Sequence, residues 1–333
     1  MSIPKPLRVM VTGATGFLGS HAVRAILEAG HRVVAFVRSP DKASRVFGDH
    51  TKALEIARGD IGDEASVRGA LTGCDSVIHC AATVALDAGN TPEKLIATNV
   101  RGARNVIGTA LDLGIERIVH VSSVATLFRR GGGRITEASE LVSSKLAYSQ
   151  SKIEADLYVR DLQAVGRPVQ ILYPGAIIGP DDPGLTDSMR SIQIFARVFL
   201  PVTSTGIQYV DARDLGLALC RMVEDEPNAR RFIAAGNFVT WSELATVLER
   251  VTGDKPPTYR VPAWAFRVAG RVADSLRHVT PIELPLSLES ASYVTQWTRI
   301  DNSEDFGRLG VRFRDLEESM ADTVRWMREA GHL

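Results

Sequence analysis

The chain has 333 residues, of which 45% are hydrophobic and 23% charged, and its 39 Lys and Arg balance 39 Asp and Glu. That length allows two domains and a sizeable core, while zero net charge excludes a large basic footprint for nucleic acid. Cys74, Cys80 and Cys220 are too few for a disulfide framework and lack metal-ligand spacing, so no metal is expected and the thiols read as reduced and cytoplasmic. No signal-peptide apolar core follows Met1, and nowhere do eighteen apolar residues run together as a transmembrane helix would require.

The first pattern is an apolar strand, Leu7–Val11, followed by Thr12-Gly13-Ala14-Thr15-Gly16-Phe17-Leu18-Gly19 and a helical period to Ala29. Three glycines between a strand and a helix form a phosphate cradle. The turn is tight, the backbone is open to close approach, and the new helix offers unpaired N–H groups and a positive dipole end. Gly13, Thr15, Gly16, Phe17, Leu18 and Gly19 are therefore expected to hold the diphosphate of a dinucleotide. The spacing G-x-x-G-x-x-G departs from the common G-x-G-x-x-G.

Further apolar runs follow at Arg32–Val37, Leu54–Ala57, Ser76–His79, Arg117–Val121 and Val169–Tyr173, separated by helical periods such as Glu93–Leu113 and Ser144–Val165. This alternation predicts an α/β fold with a doubly wound parallel sheet, whose ligands bind at the carboxyl ends of the strands. The second strand ends in Val37-Arg38, with Lys42 close behind, where an acid would favour NAD. A guanidinium suits a 2′-phosphate, so Arg38 and Lys42 point to NADP(H), with NAD(H) also open. After the third strand, Asp60 reads either as an acceptor for the adenine amino group or as a helix N-terminal or turn residue. After the fourth, His79 is either a base or, more simply, a buried and satisfied histidine, and the small Ala81 and Ala82 let a cofactor lie against the backbone.

The fifth strand ends in Ser122-Ser123, and the next helix carries Tyr148 and Lys152 four residues apart, on one face. A phenol with a pKa near 10 exchanges protons poorly near neutrality, and a neighbouring ammonium favours its phenolate. Beyond Pro180 the alternation loosens. Leu185–Phe199 reads as an amphipathic helix, with Met189 and Phe195 as either pocket wall or plain core, and residues from about Phe232 onward are expected to build the remainder of a second unit. In Val261–Leu276 the apolar stripe through Trp264, Val268 and Val272 is interrupted by Arg267 and Arg271. Packing inside the second unit is the expectation there, with a membrane surface as the alternative.

Together these motifs, with Thr98-Asn99-Val100, Pro174-Gly175-Ala176-Ile177 and Tyr209-Val210-Asp211, resemble an extended short-chain dehydrogenase/reductase from about residue 7 to about 225. The chain is most similar to the dihydroflavonol-4-reductase-like and 3β-hydroxysteroid dehydrogenase-like branch. The resemblance implies a Rossmann-type NADP-binding domain over residues 1–180, with 211–225 returning to it, and a smaller mixed substrate-binding domain over 181–333. It adds Ile61, Pro174, Gly175 and Ile177 to the cofactor site, and Thr83 to Ser123 at the substrate. It implies that Ser123 binds the substrate oxygen, that Tyr148 exchanges its proton, and that Lys152 holds the nicotinamide ribose. The expected activity is reversible NADPH-dependent reduction of a ketone or aldehyde on a fairly apolar substrate, by either a homodimer through Glu93–Leu113 and Ser144–Val165, as in many relatives, or a monomer, as in some. An NAD-dependent 3β-hydroxysteroid dehydrogenase, a nucleotide-sugar epimerase and an NADP-sensing regulator remain as alternatives. Tyr173 stands where many relatives have Arg, and Asn99 is expected to be structural.

Overall fold

The computed structural model describes residues 5–82, 91–129, 133–144, 147–276, 288–302 and 304–333. The first half alternates strands and helices: β1 (Arg8–Thr12), α1 (Phe17–Glu28), β2 (Arg32–Val37), α2 (Pro40–Phe47), β3 (Leu54–Arg58), α3 (Glu64–Leu71), β4 (Ser76–His79) and α4 (Pro92–Ala103). A π-helical turn, Arg104–Gly108, joins α4 to α5 (Thr109–Asp112), so the period expected to run unbroken from 93 to 113 is interrupted. β5 (Arg117–Val121), α6 (Ala147–Ala164) and β6 (Val169–Pro174) follow.

The chain then passes through β7 (Ala176–Ile178), α7 (Asp187–Arg197), β8 (Leu200–Val202), β9 (Gly206–Asp211), α8 (Ala212–Glu224), β10 (Arg231–Ala234), β11 (Asn237–Thr240) and α9 (Trp241–Thr252). The last described elements are β12 (Thr258–Arg260), α10 (Ala263–Leu276), α11 (Leu288–Gln296), α12 (Glu304–Arg308) and α13 (Leu316–Glu329).

Seven strands form one all-parallel sheet in the order β10-β6-β5-β4-β1-β2-β3. The strands are apolar on both faces because helices cover both. Val9, Val11, Val33 and Ala35 pack with Ala22, Ile26, Leu215 and Leu219 of α1 and α8, whereas Met10, Val34, Val77 and Ile118 meet Leu71, Ile107 and Val159 on the other side. Each of the Val, Met, Leu and Ile side chains among them contributes about 1.5–3 kcal/mol by leaving water. Chain order reverses between β1 and β4, which opens a crevice at their carboxyl ends.

β10 was not foreseen. Phe232 and Ile233 belong to the large sheet, not to the second unit, because the edge of β6 needs a partner and the apolar run Phe232-Ile233-Ala234 supplies one. Thus both α8 and β10 return to the first unit. The remainder forms a mixed three-stranded sheet, β11-β9-β7, a β12-β8 pair, and helices around a core that includes Ile178, Met189, Ile192, Leu200, Trp241, Leu248 and Met327. Asp211 caps α8 and holds Arg213, which reaches across to Asp322 of α13 at 2.7 Å and ties the units together.

Candidate functional site

The glycine loop lies in the crevice between β1 and β4. Gly13 has φ +67°, and a Cβ there would stand 2.8 Å from the backbone nitrogen of Ala81, while one on Gly19 would collide with the Gly13 carbonyl oxygen. Only glycine fits both positions. Gly16 caps α1 with no side-chain hydrogen bond, so the first-turn N–H groups of Phe17, Leu18 and Gly19 have no intrahelical acceptor. An uncapped helix start behind a backbone-lined cradle fits a diphosphate. Thr15 is half-buried in that loop. Thr12 braces it from behind: its hydroxyl accepts from Ala81 N at 3.2 Å and meets His79 Nδ1 at 2.8 Å. Ala81 and Ala82 are half-buried against the loop, and Thr83 lies outside the described residues.

At the adenosine end, Arg38 is exposed just past β2 and makes no ion pair among the described residues, and Lys42 is half-buried in the first turn of α2. Asp60 Oδ1 accepts from Gly62 N at 2.7 Å, the short-range turn that the sequence left open as an alternative. Ile61 packs on Gly102 of α4, and its carbonyl accepts from Asn105 Nδ2 at 2.8 Å.

The other end of the crevice is built by β5 and α6. Ser123 is half-buried, and its Oγ accepts from Ala125 N at 3.2 Å, which leaves the hydroxyl proton free to donate. Lys152 is buried and donates from Nζ to the Val121 carbonyl at 3.1 Å. Burial lowers its pKa from 10.5 to about 8, against the opposing pull of Cys80 and Asp156. Tyr148 sits one helical turn earlier in α6, and its side chain lies outside the described residues. Asn99 donates to Ser151 Oγ at 2.9 Å and joins α4 to α6 beside Lys152.

His79 and His120 are both buried, with rings stacked at 5.6 Å. Burial pushes the pKa of His79 down to about 3, and that of His120 well below its usual value, so both are neutral spacers under the crevice. His79 is therefore no base near neutrality. Cys74 and Cys220 are buried, with thiols pushed up to about 11 and about 12. His31, Cys220 and Glu224 cluster closely enough to suggest a metal. However, His31 Nδ1 accepts from Leu7 N, so Nε2 carries the proton that is donated to Glu224 at 3.1 Å.

One network escaped the sequence reading. Tyr148, Lys152, Asp156 and Arg160 recur every four residues along α6. Asp156 is fully buried. Its Oδ2 accepts from Ser122 at 2.6 Å and Thr126 at 3.3 Å, and its Oδ1 accepts from Arg160 Nε at 2.9 Å and Tyr173 OH at 3.0 Å. Arg160 also donates to Tyr173 OH at 2.8 Å. Tyr173 thus points into this network, and the guanidinium comes from the helix instead of the strand. A charged residue in phase with Tyr148 and Lys152, on a buried face, was the available signal.

Beyond β6, Gly175 packs on the backbone of Ala235, Pro174 ends the strand, and Ile177 is half-buried in β7. Met189 is fully buried in the core of the second unit, and the half-buried Phe195 packs edge-to-face on Trp241 at 5.6 Å. Arg129 pairs with Glu140 at 2.7 Å.

The buried ammonium has a measurable cost. At pH 7 the folded chain holds Lys152 charged out of water, so Lys152→Met is expected to raise cofactor-free stability by on the order of 2 kcal/mol. Between pH 8 and 10.5 the unfolded wild type binds more protons than the folded one, so wild-type stability rises and the difference closes. Urea melts of both proteins at pH 7 and above pH 10 check the sign.

Comparison with known proteins agrees with this geometry. Residues 9–235 match the NAD dependent epimerase/dehydratase family. Over 336 residues the chain is 31% identical to sterol demethylase protein B of Methylococcus capsulatus, covering 98% of this chain and 99% of the other. It is 29% identical over 331 residues to a dihydroflavonol 4-reductase-like protein of Synechocystis sp., covering 97% and 95% respectively. The crystal structure of gox2253 superimposes with a TM-score of 0.82 at 27% identity, covering 98% of this chain and 99% of that one. Cinnamoyl-CoA reductases and a quinoline-oxide ketoreductase are among the further relatives. The chain belongs to the NAD dependent epimerase/dehydratase family of extended short-chain dehydrogenases/reductases, and is a nicotinamide-dinucleotide-dependent oxidoreductase.

Proposed function

We propose that the protein reduces a ketone or aldehyde on a fairly apolar substrate with NADPH, reversibly. The observation that carries this reading is the buried Lys152, with a pKa lowered to about 8, one turn after Tyr148 and hydrogen-bonded to the end of the strand that bears Ser123. The dinucleotide lies along the glycine cradle, and its nicotinamide supplies or accepts the hydride when bound. Lys152 keeps two further N–H bonds beyond the one to Val121, enough to hold a ribose and to favour the phenolate of Tyr148. Tyr148 delivers the proton to the substrate oxygen, and the free hydroxyl proton of Ser123 holds that oxygen in place.

Arg38 supports NADPH, because it stands exposed at the end of β2 with no acid opposing it in the strand end. Arg38→Ala is expected to raise the KM for NADPH by about 10- to 100-fold, as loss of a charge-assisted hydrogen bond would, and to leave the KM for NADH nearly unchanged. Equal effects on both cofactors remove the NADPH assignment. The test of the whole reading is a carbonyl panel followed by NADPH absorbance. The relationship to a sterol demethylase protein puts ketosteroids first in that panel. Tight cofactor binding without turnover on any carbonyl would reject a reductase and favour a dinucleotide sensor.

A further inference from the structure

Among the described residues, three of the nine exposed large apolar side chains lie on one helix. Trp264 (67% exposed), Val268 (49%) and Val272 (52%) of α10 face solvent, with Tyr259 (51%) on the strand that leads into it. This corrects the expectation that the stripe packs inside the second unit. At about 100° per residue, positions 264, 268 and 272 share one face, and 266, 270 and 273 lie almost opposite. That opposite face does the packing: Phe266 stacks on Phe199 at 6.3 Å, and Gly270 and Ala273 are buried. The helix therefore carries a second apolar face that the fold does not need.

Its charge is biased. From Lys255 to Leu276 the chain has Lys255, Arg260, Arg267 and Arg271 against a single acid, Asp274. Arg267 and Arg271 border the outer stripe on one side, and Ala265 and Ala269 border it on the other. Phe199, stacked on Tyr259 at 5.0 Å, brings Val198 (64% exposed) beside the same surface. An apolar stripe headed by tryptophan and edged by arginine matches the boundary between acyl chains and anionic headgroups. No described helix is long and apolar enough to cross a membrane, so the attachment is in-plane. A partner protein with an acidic groove or a second copy of this chain would also cover apolar area. A second copy packed antiparallel would set these arginines against their own counterparts, and the basic edge favours lipid.

We propose that α10, with Tyr259 and Val198, docks this protein on an anionic lipid surface. The probe is co-sedimentation of the full chain with vesicles of phosphatidylcholine alone or with phosphatidylglycerol added. Binding is expected only to the anionic vesicles and is released by high salt. Trp264→Ser with Val268→Ser, and separately Arg260→Gln with Arg271→Gln, should each lower the bound fraction at least about fivefold, because area and charge act together. Cofactor binding should be unchanged in both, which shows that they fold. No binding to either vesicle overturns the proposal, as does equal binding to both. Self-association by sedimentation velocity that the Trp264/Val268 pair abolishes would assign the face to a second copy instead. None of these outcomes depends on which substrate is reduced.

Discussion

Replacing Tyr148 with phenylalanine is expected to lower kcat by about 10²- to 10⁴-fold, the usual contribution of a positioned proton donor, with little change in the affinity for cofactor. The phenyl ring keeps the volume and the helical propensity of the first turn of α6, so the variant should melt like the wild type. Lys152, held by Val121 and shielded from water, then has no phenol to acidify. A second signature follows from that coupling. The wild-type pH profile should carry an ionisation near or below the lysine's lowered pKa of about 8, and the residual activity of the variant should not. Steady-state kinetics from pH 6 to 10 give both readouts. Full activity in the variant rejects Tyr148 as the acid and leaves Ser123 or a bound water to be tested in its place.

The largest loss of stability is expected at Asp156. Asp156→Ala would leave the half-buried Arg160 guanidinium and the Ser122, Thr126 and Tyr173 hydroxyls without their common acceptor, at a cost of about 3–5 kcal/mol. Asp156→Asn keeps the shape and part of the hydrogen bonding, and should lose less. The network joins α6 to Ser122, which precedes Ser123, and to Tyr173, which precedes Pro174, so it fixes the helix that bears Lys152 against two strand ends. The Asn variant should therefore lose kcat more than KM while remaining folded. Urea melts with kinetics on the same samples separate the two effects. Wild-type stability in Asp156→Ala would mean that the carboxylate is dispensable.

Much of this molecule could be read from local pattern. Gly13, Gly16 and Gly19 announced their turn because each obeys a constraint set within a few residues, and Ser123 and Lys152 fell at a strand end and a helix turn for the same reason. What stayed hidden needed partners far along the chain. Met189 and Phe195 read equally as pocket and core from spacing alone, and only the distant Trp241 shows what Phe195 packs on. The outward turn of Trp264 was invisible because an amphipathic period does not say which of two apolar faces finds a neighbour. Arg160 was overlooked since a guanidinium on a helix ordinarily faces water, and only the long reach to Tyr173 made it part of the site's frame.

The last strand of the large sheet, β10, is delivered only after the chain has built β7 and β9 of the other unit. A fragment stopped after Pro180 would expose the rim of β6 and strip α1 of the α8 surface it rests on. During synthesis the nucleotide-binding half must therefore wait, incomplete and prone to stray pairing, until residue 234 has left the ribosome. Cutting this enzyme at its apparent boundary to obtain a cofactor-binding module should yield an aggregate. Circular permutation that keeps β10 attached is the route to a minimal one.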